Sequence, residues 1–561
     1  MAPTSRIPID SRVISLSTIE DQLIQAKTLP PRKEEDEEDE EAEEKEARDR
    51  EAAHCEAFLP NSVLETFVTE DKVKATLAGL LGTGNYDREL PRRVVKEARR
   101  AFLTAIYIGQ SSKVKHLYRQ DLKDRMLPVK AHRKRSGDYV CTVGSKEKLS
   151  YFSDWEPQPC KAFASEQWTF LAPTFRERDF SYQFHENERP PLVYIPNPKP
   201  DGGYFGTVLK LGIRLDHLDF SQRKLDELLL KKKSNEEYCE VAVKFMSIEN
   251  NRSNSDVDKF YPRERDTLER MRELNDPHLI KAIAAYEKGN SRCFIFPWAE
   301  GGNLDTFWQK DRSHLDRDLV RWALDQMTGI AGGIKKLHDK NIRHGDIKPQ
   351  NILYFPNYGR KYGRGTLKVA DVGLAKVHTE YTRYRIATTT RMSSERYEPP
   401  EMESYLHNQR PIPRVYDSWS LGCVYFEFTV WLIYGRSRLD TFHRDTSDSK
   451  KFYETRGDSY PRHRAVNDLL AEMKDRLPET SALGTLVRLI DKDLLVPEEK
   501  RMESKDLHEK LSNKCECGTS YYFGPALVSL ARDRPVPGDG PDIQPHPPDN
   551  VGPLAYALST S

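Results

Sequence analysis

At Pro190-Pro191 the apolar pattern of this 561-residue chain changes period, and that change does most to narrow its possible folds. The polar run His185 to Arg189 gives way to short alternating segments rich in β-branched and aromatic residues, clearest from Asp201 to Leu211 and from Cys239 to Met246. From Leu319 to His338 the period becomes helical, and it stays mostly helical to Leu511 apart from short strands near residue 350. Strands first and helices second imply an α+β chain. A charged stretch, Asp216 to Glu237, interrupts the strands and reads as an inserted helix or loop near 214–237.

The flanks have a different character. Residues 1–54 hold no periodic apolar pattern, and every residue from Glu34 to Glu41 is acidic, so self-repulsion predicts a disordered, solvated arm. Residues 55–190 form a mainly helical extension in which Val94, Val95, Ala98, Ala101, Phe102 and Ile106 recur at helix spacing across Arg92 to Tyr107. Its aromatic patch from Gln167 to Pro173 carries no titratable pair or metal spacing, so packing is its expected use. The Pro and Gly of Pro535 to Pro553 predict a disordered tail over 514–561.

Composition excludes some function classes. With 37% hydrophobic and 31% charged residues, zero formal net charge and a pI near 7.2, nothing global points to nucleic acid or a membrane surface. Eight cysteines without a CxxC pair or signal peptide predict reduced thiols and a cytoplasmic location, with the nucleus as the other compartment. The CxC of Cys515 and Cys517 reads as a surface pair. The longest apolar stretch, Trp419 to Tyr434, is 16 residues long and includes Glu427, so it predicts a buried core helix and no membrane span.

Residues 344–351 carry the chemistry: His-Gly-Asp-Ile-Lys-Pro-Gln-Asn. Asp346 can accept a hydroxyl proton, Lys348 can neutralise a moving phosphoryl group, and Asn351 can hold a metal ion. Asp371, after the apolar segment Thr366 to Ala370, adds a carboxylate. Val241-Ala-Val-Lys244 alternates, burying Val241 and Val243 and turning Ala242 and Lys244 to the other face, where an ammonium needs a carboxylate. Glu264 is the candidate because it shares one helix face with Leu268 and Met271; Glu269 is the fallback.

These parts, in this order, resemble the eukaryotic-type serine/threonine protein kinase superfamily over about residues 191–513, and the amino-terminal region is similar to kinase-domain proteins of filamentous fungi. The resemblance implies a bilobal fold, with a β-rich N-lobe over 191–298 holding one main helix, and a mostly helical C-lobe over 299–513. Gly202, Gly203 and Gly206 with Val208 resemble the family's glycine-rich hairpin over ATP phosphates. Lys244 with Glu264 resembles the pair that grips those phosphates. Phe296 resembles the bulky gate and Pro297 to Ala299 the adenine-binding hinge, where the Pro297 carbonyl accepts and the Ala299 N–H donates. Asp346 and Lys348 then take catalytic roles, and Asn351 and Asp371 take Mg²⁺ or Mn²⁺. Asp346-x-Lys348 is the serine/threonine form, so the implied substrate is a protein hydroxyl of Ser or Thr.

The same resemblance gives supporting roles to His344, to Gly373 beside Asp371, and to Ser394. It also pairs Glu401 with Arg501 and turns Asp417 toward the backbone of His344 and Gly345. Three positions depart from the pattern. Asp201 replaces a glycine; Gly345 replaces an Arg that pairs with a phosphorylated loop; Val372 replaces a buried Phe, a loss of roughly 1 to 3 kcal/mol of packing unless a neighbour fills the space. The rival expectation they support is a pseudokinase, a signalling scaffold without transfer activity.

Overall fold

The computed structural model describes residues 13–25, 55–117, 122–132, 139–195, 201–203, 206–228, 237–246, 254–310, 316–372, 395–402, 412–457 and 459–515. The acidic run Glu34 to Glu41, Gly373, Ser394, Cys517 and the Pro- and Gly-rich tail lie outside them. The described residues fall into two compact units, one within Met1–Glu249 and Ile283–Trp298, the other within Asn250–Ala282 and Ala299–Ser561.

In the first unit, helices Asn61–Phe67, Glu70–Leu81, Leu90–Glu97, Arg99–Tyr107 and Pro157–Glu166 close around one apolar core with the hairpin of β1 (Val129–His132) and β2 (Tyr139–Thr142). Two expectations are corrected here. A helix at Leu16–Gln25 lies inside the stretch read as a solvated arm: Ile14, Ile19 and Leu23 are buried in this core, and the Ile14 N–H donates to Thr76 Oγ1 at 2.8 Å. Three apolar residues ahead of a long acidic run were enough, because the extension supplied their partners.

The single helix expected over Arg92 to Tyr107 is two helices that break at Ala98, whose φ of −142° is far from helical. The Asp124 carboxylate accepts the N–H groups of Arg100 and Ala101, each at 3.0 Å, and so caps the second helix from a distant loop.

The aromatic patch is packing, with Gln167, Trp168, Thr169 and Phe170 all buried and the Trp168 ring stacked on His185 at 4.8 Å.

Strands β3 (Phe175–Arg176), β4 (Ser181–Phe184), β5 (Leu192–Tyr194), β6 (Asp201–Gly203), β7 (Gly206–Arg214), β8 (Leu218–Asp219), β9 (Tyr238–Met246), β10 (Ala284–Lys288) and β11 (Ser291–Pro297) follow. The main sheet runs β4-β10-β11-β9-β7-β5, with β6 turned back on β7. The boundary expected at Pro190 is therefore not a seam: β4, upstream of it, pairs in parallel with β10. The insertion also ties the two sides together. Asp216 Oδ2 accepts the Ser62 N–H at 2.8 Å. His217 donates from Nδ1 to the Pro173 carbonyl at 2.9 Å, which leaves its Nε2 to accept the Asn61 N–H at 3.1 Å. Proline and charge mark a turn in sequence, but pairing decided the domain.

The second unit is mostly helical. Its central helix, Val415–Tyr434, is buried at every residue from Tyr416 to Ile433. Arg317–Asp339 begins at Asp316, which accepts the Leu319 N–H at 2.6 Å, and packs beside Ser504–Cys515. One short antiparallel pair, β12 (Ile352–Phe355) with β13 (Thr366–Val369), stands beside the 344–351 loop. Among the described residues, no helix is long and apolar enough to cross a membrane.

Candidate active site

Register places the first-unit candidates on one face. Lys244 stands opposite Val208 on β7 and Phe294 on β11, and Ala242 stands opposite Lys210 and Phe296. Directly opposed residues share a face, so Val208, Ala242, Lys244 and Phe296 point one way. Leu209, Leu211, Val241, Val243 and Ile295 point the other, into the apolar core. Lys244 is buried, at 6% exposure. Lys210 pairs with Glu240 at 3.0 Å, with its ammonium 5.2 Å from the Trp298 ring centroid. Gly202, Gly203 and Gly206 belong to the β6-β7 hairpin, in which Gly203 and Gly206 are paired residues. Pro297 ends β11 opposite Val241.

In the second unit, residues 344–351 are tied down bond by bond. His344 Nε2 donates to the Ala370 carbonyl at 2.9 Å, so its Nδ1 is the acceptor for the Asp346 N–H at 3.3 Å. Asn351 Nδ2 donates to the Asp346 carbonyl at 2.8 Å and to Asp346 Oδ2 at 2.9 Å, and Lys348 Nζ reaches the same oxygen at 3.2 Å. Thus Asp346, Lys348 and Asn351 converge on one carboxylate oxygen. The Ala370 N–H donates to the Asn351 carbonyl at 2.8 Å, which brings Asp371, the next residue, beside the same loop. Asp371 has a left-handed φ of 60°, a conformation that Asp tolerates better than most residues.

Beneath the loop lies Asp417. Its carboxylate accepts the His344 N–H at 2.8 Å and the Gly345 N–H at 2.7 Å, and His338 Nε2 lies 2.7 Å away. Burial alone raises this carboxyl, yet the bonds and charges from His338, His344 and Gly345 outweigh it and hold the group below the ordinary carboxylate range. Gly345 has a φ of 77°, so glycine fits where a side chain is strained. Gly345→Ala is expected to cost about 1 kcal/mol in urea unfolding; a neutral or stabilising change means the loop has relaxed to another φ.

The structure also joins Glu401 and Arg501 in a two-pronged pair, with N···O distances of 2.5 and 3.0 Å, and Arg501 stacks over Trp419 at 5.1 Å. Glu264 is buried on the helix Asn254–Arg272 with Leu268 and Met271, whereas Glu269 is exposed. Val372 is buried at 1% exposure, and Ala299 accepts the Gly302 N–H at 3.1 Å.

Sequence reasoning missed several supporting residues. Ser504 bonds His338 Nδ1 at 2.8 Å across 166 positions, a link that no local pattern contains. Glu427, noted only as an interruption in an apolar run, is fully buried against Arg396 at 3.0 Å, Tyr397 at 2.8 Å and His443 at 3.0 Å. A carboxylate inside a buried helix was the signal that could have prompted a search for its partners.

The sequence profile described as protein kinase domain matches residues 229–510, just over half of the chain, and starts downstream of the glycine hairpin. Serine/threonine-protein kinase HAL5 of Saccharomyces cerevisiae is 35% identical over 171 residues, 27% of this chain and 19% of that protein. Serine/threonine-protein kinase nekl-2 of Caenorhabditis elegans is 31% identical over 163 residues, 28% of this chain and 42% of that protein. Serine/threonine-protein kinase ULK1 of Homo sapiens is 30% identical over 159 residues, 28% of this chain and 14% of that protein. The aligned stretch thus spans less than half the length of each relative.

Proposed function

Because this chain belongs to the eukaryotic serine/threonine protein kinase family, we propose that it transfers the γ-phosphoryl group of ATP to a serine or threonine hydroxyl of a protein substrate. In this reading Asp346 accepts or orients the hydroxyl proton, and Lys348 balances charge on the phosphoryl group in flight. Lys244, supported by Glu264, holds the α- and β-phosphates, and Phe296, Pro297 and Ala299 hold adenine. The donor set fits a hard cation: Asn351 commits Nδ2 to Asp346, which leaves its amide oxygen as a ligand beside the Asp371 carboxylate. Mg²⁺ or Mn²⁺ bound there supplies neutralisation of phosphate charge.

The observation that carries this proposal is the convergence of Lys348 and Asn351 on Asp346 Oδ2. It supports an enzyme over a scaffold because a base held this way is oriented before any substrate arrives. Two departures from the family pattern are also compatible with activity: Gly345 sits in a conformation suited to glycine, and Val372 is buried. The balanced charge and reduced cysteines fit a cytoplasmic or nuclear enzyme.

Radiolabelled ATP with Mg²⁺ or Mn²⁺ and generic protein substrates tests the reading. Wild type is expected to transfer label, and Lys244→Met to lose about a hundredfold or more of that rate without unfolding, the usual scale for removing one charge-stabilising donor. Equal, background-level transfer by both proteins returns the chain to the scaffold reading.

A further inference from the structure

A cavity of about 440 Å³ opens in the amino-terminal extension, far along the chain from Lys244 and the 344–351 loop, between helices Asn61–Phe67, Leu90–Glu97 and Arg99–Tyr107 and the segment Lys123 to Arg125. Its lining is rich in cations. Of its three acidic groups, Glu97 pairs with Lys123 at 3.1 Å, and Asp124 is committed to the N–H groups of Arg100 and Ala101. Glu65 stands exposed on the lining. That leaves Lys96, Arg99, Arg100 and Arg125, none of which forms an ion pair among the described residues.

The arginines are arranged, not loose. Arg100 donates from Nε to the Phe170 carbonyl at 2.8 Å and from Nη2 to Asn61 Oδ1 at 2.9 Å, which fixes the guanidinium plane and leaves Nη1 outside both bonds. Arg99 spends Nε on the Val68 carbonyl at 3.4 Å. Both hydrogen-bond acceptors of Arg100, and that of Arg99, are neutral; the Asp124 carboxylate offsets part of their charge, and the five cations of the lining still outnumber its three carboxylates. Asp124 already caps the Arg99–Tyr107 helix, so side chains and not helix amides must bind whatever enters. The Nη donors that Arg99 and Arg100 have left, beside the exposed cations Lys96 and Arg125, match the several acceptor oxygens and double charge of a phosphate monoester. The volume accommodates that group together with the body that carries it.

We infer that this cavity is a binding site for a phosphate monoester, separate from the proposed transfer site and independent of whether transfer occurs. The ester is either borne on a peptide, as phosphoserine or phosphothreonine, or carried by a small molecule.

The test is calorimetric titration of the full chain with a phosphoserine peptide, its unphosphorylated parent, and inorganic phosphate. None is a nucleotide, so the readout does not depend on ATP binding. Wild type is expected to bind the phosphopeptide and not the parent, with affinity falling as salt rises. The double variant Lys96→Gln, Arg125→Gln is expected to weaken binding tenfold or more, on the order of the energy of losing charged hydrogen bonds. Both side chains are exposed and lack ion pairs, so its melting temperature should match wild type; Arg125→Gln alone gives a milder second reading.

Inorganic phosphate binding as tightly as the phosphopeptide assigns the site to a small phosphate ester; a clear preference for the peptide assigns it to a phosphoprotein. Equal binding of the parent peptide, unchanged binding in both variants, or no binding of any probe overturns the inference.

Discussion

Asp346→Asn is expected to lower phosphoryl transfer about a hundredfold or more while leaving the unfolding midpoint nearly unchanged, the usual size of a proton-handling effect. The asparagine side chain is isosteric, and its oxygen can still accept the Asn351 amide that Asp346 Oδ2 receives at 2.9 Å. What disappears is the negative charge that pairs with Lys348 at 3.2 Å and that, in the proposed reaction, draws the hydroxyl proton. Single-turnover transfer and a urea melt on the same preparation separate the two effects. Turnover equal to wild type would reassign the base, and a large stability loss would make the residue structural instead.

The second large effect lies at Glu427. Burial by itself raises this carboxyl, but Arg396, His443 and Tyr397 outweigh it and hold its pKa at about 2. Glu427→Gln strips the charge and leaves Arg396 buried over the Phe442 and Phe452 rings, 5.0 and 5.1 Å from their centroids, with no anion. Breaking one side of a buried pair costs about 3 to 5 kcal/mol, whereas replacing both sides by apolar residues can be neutral. So Glu427→Gln is expected to lose roughly that much in urea unfolding, and Arg396→Met with Glu427→Met to recover most of it.

The pH dependence has a definite sign. A folded pKa below the unfolded one gives stability that is complete above the ordinary Glu range and disappears as pH falls toward 2. The gap between wild type and Glu427→Gln should therefore narrow on acidification across that window. A gap under 1 kcal/mol near neutrality, or one that ignores pH, removes Glu427 as an anchor of the Glu395–Met402 segment.

Legibility followed distance along the chain. Asp346, Lys348 and Asn351 stand within six residues, so backbone geometry alone limits how far apart their side chains can lie, and the loop could be recognised from spacing. Alternation in β9 placed Ala242 and Lys244 on one face for the same reason: the pleat has a period of two. The helix break at Ala98 was not legible, because its cap is Asp124, and neither was the burial of Ile14, Ile19 and Leu23, because their partners belong to later helices. Apolar spacing says which residues want to leave water but not what will cover them.

Read alone, the sequence determined the order of strands and helices, the loop that holds Asp346, and the protein kinase family. Tertiary structure alone decided that β4 joins the main sheet across Pro190, that His338 and Ser504 brace Asp417, and that a cationic cavity forms among elements of the extension. The reason is physical. Short-range geometry is written in residue spacing, whereas buried charges and unpaired strand edges take whichever partner the folded chain brings within hydrogen-bond reach.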